Sequence, residues 1–177
     1  EPALEEVMGL MASKAAAEIE RARIEGDLAR SERRYRTIFD TASEGIWVVD
    51  GDLRTTSVNE VMARMLGVER GAMIGRSLGE FVFDEDAEDF ARRAEARRQG
   101  VPERHERRIK RADGGALWVL VSSQPILDAA GRVSGSFAMY SDITELKRAE
   151  KLVRIERDLA MALIASEDYD RSLELCL

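Results

Sequence analysis

The stretch DGGALWVLVSSQPILDAAGRVSGSFAMYSDIT, Asp113–Thr144, carries the clearest structural signal in the chain. Two apolar runs, Ala116–Leu127 and Arg132–Ile143, are separated by Asp128-Ala129-Ala130-Gly131 and preceded by Asp113-Gly114-Gly115. Such clusters form turns, because Asp bonds its own backbone and Gly accepts a positive φ. β-Branched and aromatic runs joined by short turns predict antiparallel strands. A third strand, Glu103–Ala112, stands before the first turn. After the last strand, Asp142-Ile143-Thr144 passes into a charged, leucine-bearing helix with no glycine or proline between them. Asp142 followed by Glu145 has the spacing of a capping box, and Thr144 is the alternative cap.

Toward the N-terminus the pattern continues. EGIWVVD (Glu44–Asp50) is short, β-branched and aromatic, and ends in the turn signal Asp50-Gly51-Asp52. LRTTSV (Leu53–Val58) follows as its hairpin partner. Asn59 is placed to cap a short helix that stops at Gly67. Gly71, Gly75 and Gly79 keep the next segment from forming a long helix. Asp84–Gly100 reads as a helix with acids at its start and arginines at its end, matching the helix dipole at both termini. Two strands, several short helices, then three strands predict an α+β fold with a five-stranded antiparallel sheet and short helices on one face.

Long helices flank this unit. The first 38 or so residues are rich in Ala, Glu and Arg, and repeat apolar residues at three and four through Ile24, Leu28, Tyr35 and Ile38. A second stripe runs through Met8, Met11, Ala15, Ile19 and Ala22. Beyond Thr144, Leu146, Ala149, Val153, Ala160 and Leu163 repeat in the same way. These stripes predict a homodimer through paired helices, the alternative being a helix folded back on its own domain. Ser31 and Glu156 weaken the two seams. Ser166-Glu167-Asp168 reads as a break before a second short helix.

Composition bounds the function. Hydrophobic residues make up 45% of the 177 positions, enough for a core, and charged residues 34%. The net charge of −7 argues against general nucleic-acid binding, which needs a basic surface. One cysteine, Cys176, and one histidine, His105, leave no disulfide framework and no Cys/His metal site. No apolar run is long enough to cross a membrane as a helix, so a cytoplasmic setting and no membrane contact are expected. SLELCL stops within an apolar pattern, and the chain reads as a fragment of a longer protein.

Tyr35–Thr144 resembles a PAS domain, with its PAC-type C-terminal part. The residues that carry the resemblance are EGIWVVD, Asn59, LGVERGAMIGRSLGEFV, DEDAEDF and the Asp113–Thr144 stretch, in that order. The flanks resemble the last helix of one GAF domain and the entry to another. The resemblance implies a bacterial multidomain signalling protein, such as a sensor histidine kinase or a cyclic-nucleotide signalling enzyme. It divides the chain into an N-terminal signalling helix (1–34), a PAS domain (35–144), a C-terminal signalling helix (145–165) and the start of a following domain (166–177). It implies a relay from the sheet through Asp142, Ile143 and Thr144 to the exit helix.

The family's haem-binding members usually take a ligand from a histidine on the helix that corresponds to Asp84–Gly100, which has none. Its covalent flavin photosensors need an Asn-Cys-Arg motif, absent here. No cofactor is predicted, and a noncovalently held small molecule stays open. A pocket between the inner sheet face and the short helices would be lined by Ile46, Val48, Phe137 and Met139 from strands and by Leu66, Met73, Phe81 and Phe90 from the helical side. Ser57, Asn59 and Ser122 would orient its ligand; the simpler alternative is that all these residues fill the core. Trp47 and Trp118 are then expected on the outer sheet face.

His105, in RHERRIK, has the Glu neighbour of a kinase phosphoacceptor, but it stands on a strand and reads as a partly exposed side chain. The acids of Asp84–Asp89 are explained by a helix start rather than by acid/base chemistry. The arginine-rich group Arg92, Arg93, Arg97, Arg98, Arg104, Arg107, Arg108, Lys110 and Arg111 is a solvated face or, as the alternative, an anion or partner site. No phosphate loop and no nucleophile–base motif appears, so no enzyme is predicted. The expected function is a sensory and dimerisation module. A spacer without ligand and a noncovalent redox or light sensor are the competing readings.

Overall fold

The structure is a computed structural model that describes residues 2–174, with side chains described at positions 11, 14 and 17–162. The chain divides into two units, residues 1–42 and 43–177. The first is one helix, α1, Pro2–Thr41. Its Ile24, Leu28, Tyr35 and Ile38 are all exposed. Tyr35 and Phe39, one turn apart, stack with ring centroids 5.4 Å from each other.

The second unit holds the sheet. Its strands are β1 (Gly45–Asp50), β2 (Thr55–Val58), β3 (Glu103–Lys110), β4 (Ala116–Leu127) and β5 (Val133–Asp142), in the order β2-β1-β5-β4-β3. Every pairing is antiparallel. Between β2 and β3 lie α2 (Glu60–Leu66), α3 (Arg70–Met73), two short 3₁₀ turns and α4 (Ala87–Arg98). The exit helix α5 runs Thr144–Glu174. The break expected at Ser166–Asp168 is absent, since helical backbone continues through it.

Local chemistry sets these boundaries. Asp50 Oδ1 accepts the amides of Asp52 and Arg54, both at 2.9 Å, and closes the β1–β2 turn. Asn59 caps α2 by accepting the Met62 amide, and Gly67 ends that helix at φ 69°. The segment expected as one helix from Asp84 is split into a 3₁₀ turn, Asp84–Asp86, and α4. Its acids do more than complement a dipole. Asp86 and Glu85 pair with Arg108 of β3 at 2.7 and 3.2 Å, and Asp89 pairs with Arg92 and Arg93 of its own helix.

The core lies between the inner sheet face and the short helices. Trp47, Val58, Met62, Leu66, Met73, Leu117, Val119 and Val121 are all at most 1% exposed. Burial of each such aliphatic side chain is worth roughly 1.5–3 kcal/mol. Trp47 sits at the centre, edge-on to Phe81 at 5.0 Å and tilted against Tyr140 at 5.7 Å. Its expected place on the outer face is therefore wrong, whereas Trp118 does alternate away from the buried Leu117 and Val119. β1 is apolar at both parities, so alternation does not choose its inner face. The tertiary contacts do. Trp47 Nε1 donates to Thr55 Oγ1 at 2.9 Å inside the core. Gly45, of the same parity, lies so close to α2 that an added Cβ would stand 2.6 Å from Met62 Sδ.

Candidate functional site

The residues expected to line one pocket fall on two sides of the sheet. Leu66, Met73 and Phe81 are buried on the inner face, with Phe90 packed against them. Ile46 and Val48 pair with Met139 and Phe137 of β5 and alternate with the core pair Trp47–Ala138, so these four lie on the outer face. Ser57 pairs with Val48 and Ser122 with Met139, which puts both serines on that outer face too. Asn59 is fully buried, but its side chain is committed to the fold. Its Oδ1 accepts the amides of Ile46 and Met62 at 2.9 Å each, and its Nδ2 donates to the Glu44 carbonyl at 3.0 Å. The strand half of the expected pocket is thus displaced by one residue of parity.

The inner face carries a different polar set. β3 pairs with β4 through Ile109–Leu117, Arg107–Val119, His105–Val121 and Glu103–Ser123, and the β4 partners are all buried. Glu103, His105 and Arg107 therefore face α4. Arg97 of α4 is only 7% exposed, and its positive charge opposes the rise that burial imposes on the Tyr140 hydroxyl. Arg93 is satisfied by Asp89 at 2.8 Å and by Glu103 at 3.2 Å. Arg107 lies over the Phe90 ring, 5.5 Å from its centroid. Among the described residues, eight buried side-chain nitrogen or oxygen atoms lack a hydrogen-bond partner. They belong to Arg97, Glu103, His105, Arg107, Ser123 and Ser136, all in the layer between α4 and the sheet.

The charges in this layer perturb one another. Burial, reinforced by Arg93, Arg107 and Arg97, pushes His105 down to about 4. Burial also lowers Arg107 and raises Tyr140, the latter opposed by Arg97 and Arg107. Both ring nitrogens of His105 are buried, which removes them from a phosphoacceptor role. Of the nine-residue basic group, Arg92, Arg98, Arg104 and Lys110 are exposed, while Arg97 and Arg107 turn inward. Sequence reasoning missed this. The signal was available: counting back by two from apolar Ile109 places Arg107, His105 and Glu103 on its face.

The joint between sheet and exit helix is tied down at each residue. Asp142 Oδ1 accepts the Thr144 amide at 2.8 Å. The Ile143 amide donates to the Trp118 carbonyl at 2.9 Å, and the Ile143 carbonyl accepts the Lys147 amide at 2.9 Å. Thr144 Oγ1 accepts the Trp118 amide at 3.1 Å. Neither proposed cap takes its expected form. Thr144 spends its hydroxyl on β4, and Glu145 pairs with Arg148 rather than closing a capping box. One turn on, Lys147 pairs with Glu106 of β3 at 2.7 Å and lies 6.0 Å from the Trp118 ring centroid. The Glu106 carboxylate holds Lys147 above its ordinary pKa. Beyond the joint, Leu146, Leu152, Val153, Ile155, Leu159 and Met161 are exposed along α5. Leu163, expected on the same seam, lies outside the described side chains.

Residues 33–143 match the family description of the PAS fold. The chain belongs to the PAS family. The match covers the whole sheet and the helices on its face. A solved PAS domain of an HTR-like protein from Haloarcula marismortui superposes with a TM-score of 0.59 at 26% identity, over 68% of this chain and 98% of that one. Relatives include the two-component sensor PprA of Pseudomonas aeruginosa, 31% identical over 125 residues, or 70% of this chain. The methanogenesis regulatory histidine kinase FilI of Methanothrix harundinacea is 31% identical over 142 residues, or 80% of this chain. The chain spans only 14% and 16% of those two proteins. This PAS domain is homologous to parts of sensor kinases, and a sensory role is the coarse function that follows. Among the described residues, no helix is long and apolar enough to cross a membrane.

Proposed function

We propose that this PAS domain is the sensory and dimerisation module of a cytoplasmic two-component signalling protein, with a sensor histidine kinase as the parent and GAF domains as its neighbours. The module performs no catalysis itself. Two chains associate through the exposed stripes of α1, with Ile24, Leu28 and Tyr35, and of α5, with Leu146 and Val153, which Leu163 continues in the sequence. A cue that changes the packing of the sheet reaches α5 through Asp142, Ile143 and Thr144.

The observation that carries this reading is the set of bonds at the joint. Asp142, Ile143, Thr144 and Lys147 each bond within the joint or to β3 or β4, so a shift of those strands drags the first turn of α5 with it. Exposed apolar side chains at helical spacing along α5 support the pairing, since an isolated helix gains nothing by exposing them. Light scattering at micromolar concentration should give the mass of two chains. Val153→Glu and Leu28→Glu should each weaken association by at least about tenfold, because a charge would enter a desolvated seam. A monomeric wild-type chain would refute the dimer, and a dimer indifferent to both substitutions would refute these seams.

A further inference from the structure

We propose that α4 is a proton-released strap: it lies closed on the sheet while the His105 ring is neutral and lifts away when that ring takes up a proton. The inference goes beyond the sensory reading, since it needs neither a dimer nor a relay. It starts from how little holds α4 down. Of its 12 residues only Ala94 and Arg97 are buried, with Phe90 packed half-buried against the core. The 7-residue α2, by contrast, buries Met62, Ala63 and Leu66. Arg93 ties α4 to the strand beneath through Glu103 at 3.2 Å. The layer under the helix is otherwise polar and poorly satisfied. Arg97 Nε, Glu103 Oε2, both His105 nitrogens and two Arg107 nitrogens are buried without a hydrogen-bond partner. Each of these atoms has given up water and gained no partner, so closure is held weakly.

The two ends of α4 are better anchored than its middle. Before it, Asp86 and Glu85 hold Arg108 of β3 at 2.7 and 3.2 Å. After it, Gly100 turns the chain at φ 77°, so close to β5 that a Cβ there would stand 3.0 Å from Val133 Cγ2. The amides of Gln99, Gly100 and Val101 all return to carbonyls of α4 itself rather than to a strand. The helix can therefore lift between these two points while the ladder between β3 and β4 stays intact.

His105 lies beneath the stretch of α4 that carries Asp89, Arg93 and Arg97. The charged and titratable groups that face its ring are those three, Glu103 and Arg107 of its own strand, and Tyr140 of β5; its partner on β4 is the uncharged Val121. Asp89 is already paired with Arg92 and Arg93, and Glu103 with Arg93. The guanidiniums thus set the field, and an imidazolium would stand buried among like charges. Lifting α4 takes Arg93 and Arg97 away and admits water to the ring. Proton uptake and lifting are thereby linked. With the closed ring at about 4 and the free ring at 6.5, closure is full above pH 6.5 and is lost progressively as pH falls toward 4. From pH 8 to pH 5 the opening equilibrium should rise roughly thirtyfold.

The test is native-state amide exchange on the full 177-residue chain without an affinity tag, followed from pH 8 to pH 5 and expressed as protection factors. The amides of α4 should be less protected than those of β4 and β5 at every pH, because they open without global unfolding. Low urea should accelerate the strand amides far more than those of α4, since lifting exposes far less surface than unfolding. Protection of α4 should fall roughly thirtyfold between the two pH limits in wild type and less than about threefold in His105→Asn, which keeps a polar side chain and takes up no proton.

Proton NMR of the sole histidine needs no variant. In the native wild-type chain the ring should titrate well below 6.5. Arg97→Met removes one of the cations over the ring and should raise that midpoint. A wild-type midpoint at 6.5 means the ring already stands in water and overturns the proposal. So does α4 protection equal to that of the strands at every pH. An equal loss of protection in wild type and His105→Asn, or a midpoint that Arg97→Met leaves unchanged, removes His105 as the trigger and overturns it too.

Discussion

Asn59 shows how much one side chain can hold. It is fully buried and joins β1, the Glu44 carbonyl and the first turn of α2 through three hydrogen bonds. Asn59→Ala leaves two amides and a carbonyl short of a partner, and should cost about 2–4 kcal/mol in denaturant unfolding. His105 gives a pH dependence with a definite sign. Its folded pKa, about 4, lies below the ordinary 6.5, so the unfolded chain binds more protons between those values. The stability is therefore full above pH 6.5 and falls as pH drops toward 4. Partial exposure limits the loss to the order of 1–2 kcal/mol. His105→Asn should flatten that limb of a stability–pH curve, and an unchanged slope would show that the ring is already solvated. The capping role of Asn59 was legible in the sequence, because Asn before a short helix ending at Gly67 has one economical explanation. The inward turn of His105 could be read only by counting back in twos from apolar Ile109, because a strand of otherwise charged residues looks solvated.

At the scale of the element, the exit helix is distinctive for the way it starts. A helix that began after a flexible loop would fray independently of the sheet. Here Thr144 Oγ1 and the Ile143 amide both bond Trp118, so the first turn shares its stability with β4. Thr144→Val should cost about 1 kcal/mol, the value of one such bond, and should speed amide exchange at Trp118. A two-glycine insertion after Thr144 should leave the melting of the sheet unchanged while the amides of α5 exchange faster than those of the strands. Equal exchange before and after insertion would make the joint a tether. Asp142-Ile143-Thr144 was legible as a joint because nothing in the sequence breaks it. Its bond to Trp118 was not, because it crosses from the start of α5 to β4, twenty-six residues away.

At the scale of the whole molecule, the proposed dimer has a consequence for stability. Stability coupled to association depends on concentration, so the melting temperature should rise with chain concentration across the micromolar range. A constant value would indicate that each chain is self-sufficient. Strand number, strand order along the chain, the turns and the PAS resemblance could all be read from residues 35–144, because each rests on local chemistry: periodicity, Asp-Gly turns and caps. The inner and outer faces of β1 and β5 could not. β1 is apolar at both parities, and β5 carries its larger apolar residues, Phe137 and Met139, on the outer face, so the choice belongs to partners far along the chain, Thr55 for Trp47 and Met62 for Gly45. The same holds for the candidate site. Composition showed a basic cluster, but burial between α4 and the sheet selected Arg97 and Arg107 from it, since desolvation is a property of what packs on a side chain rather than of the side chain.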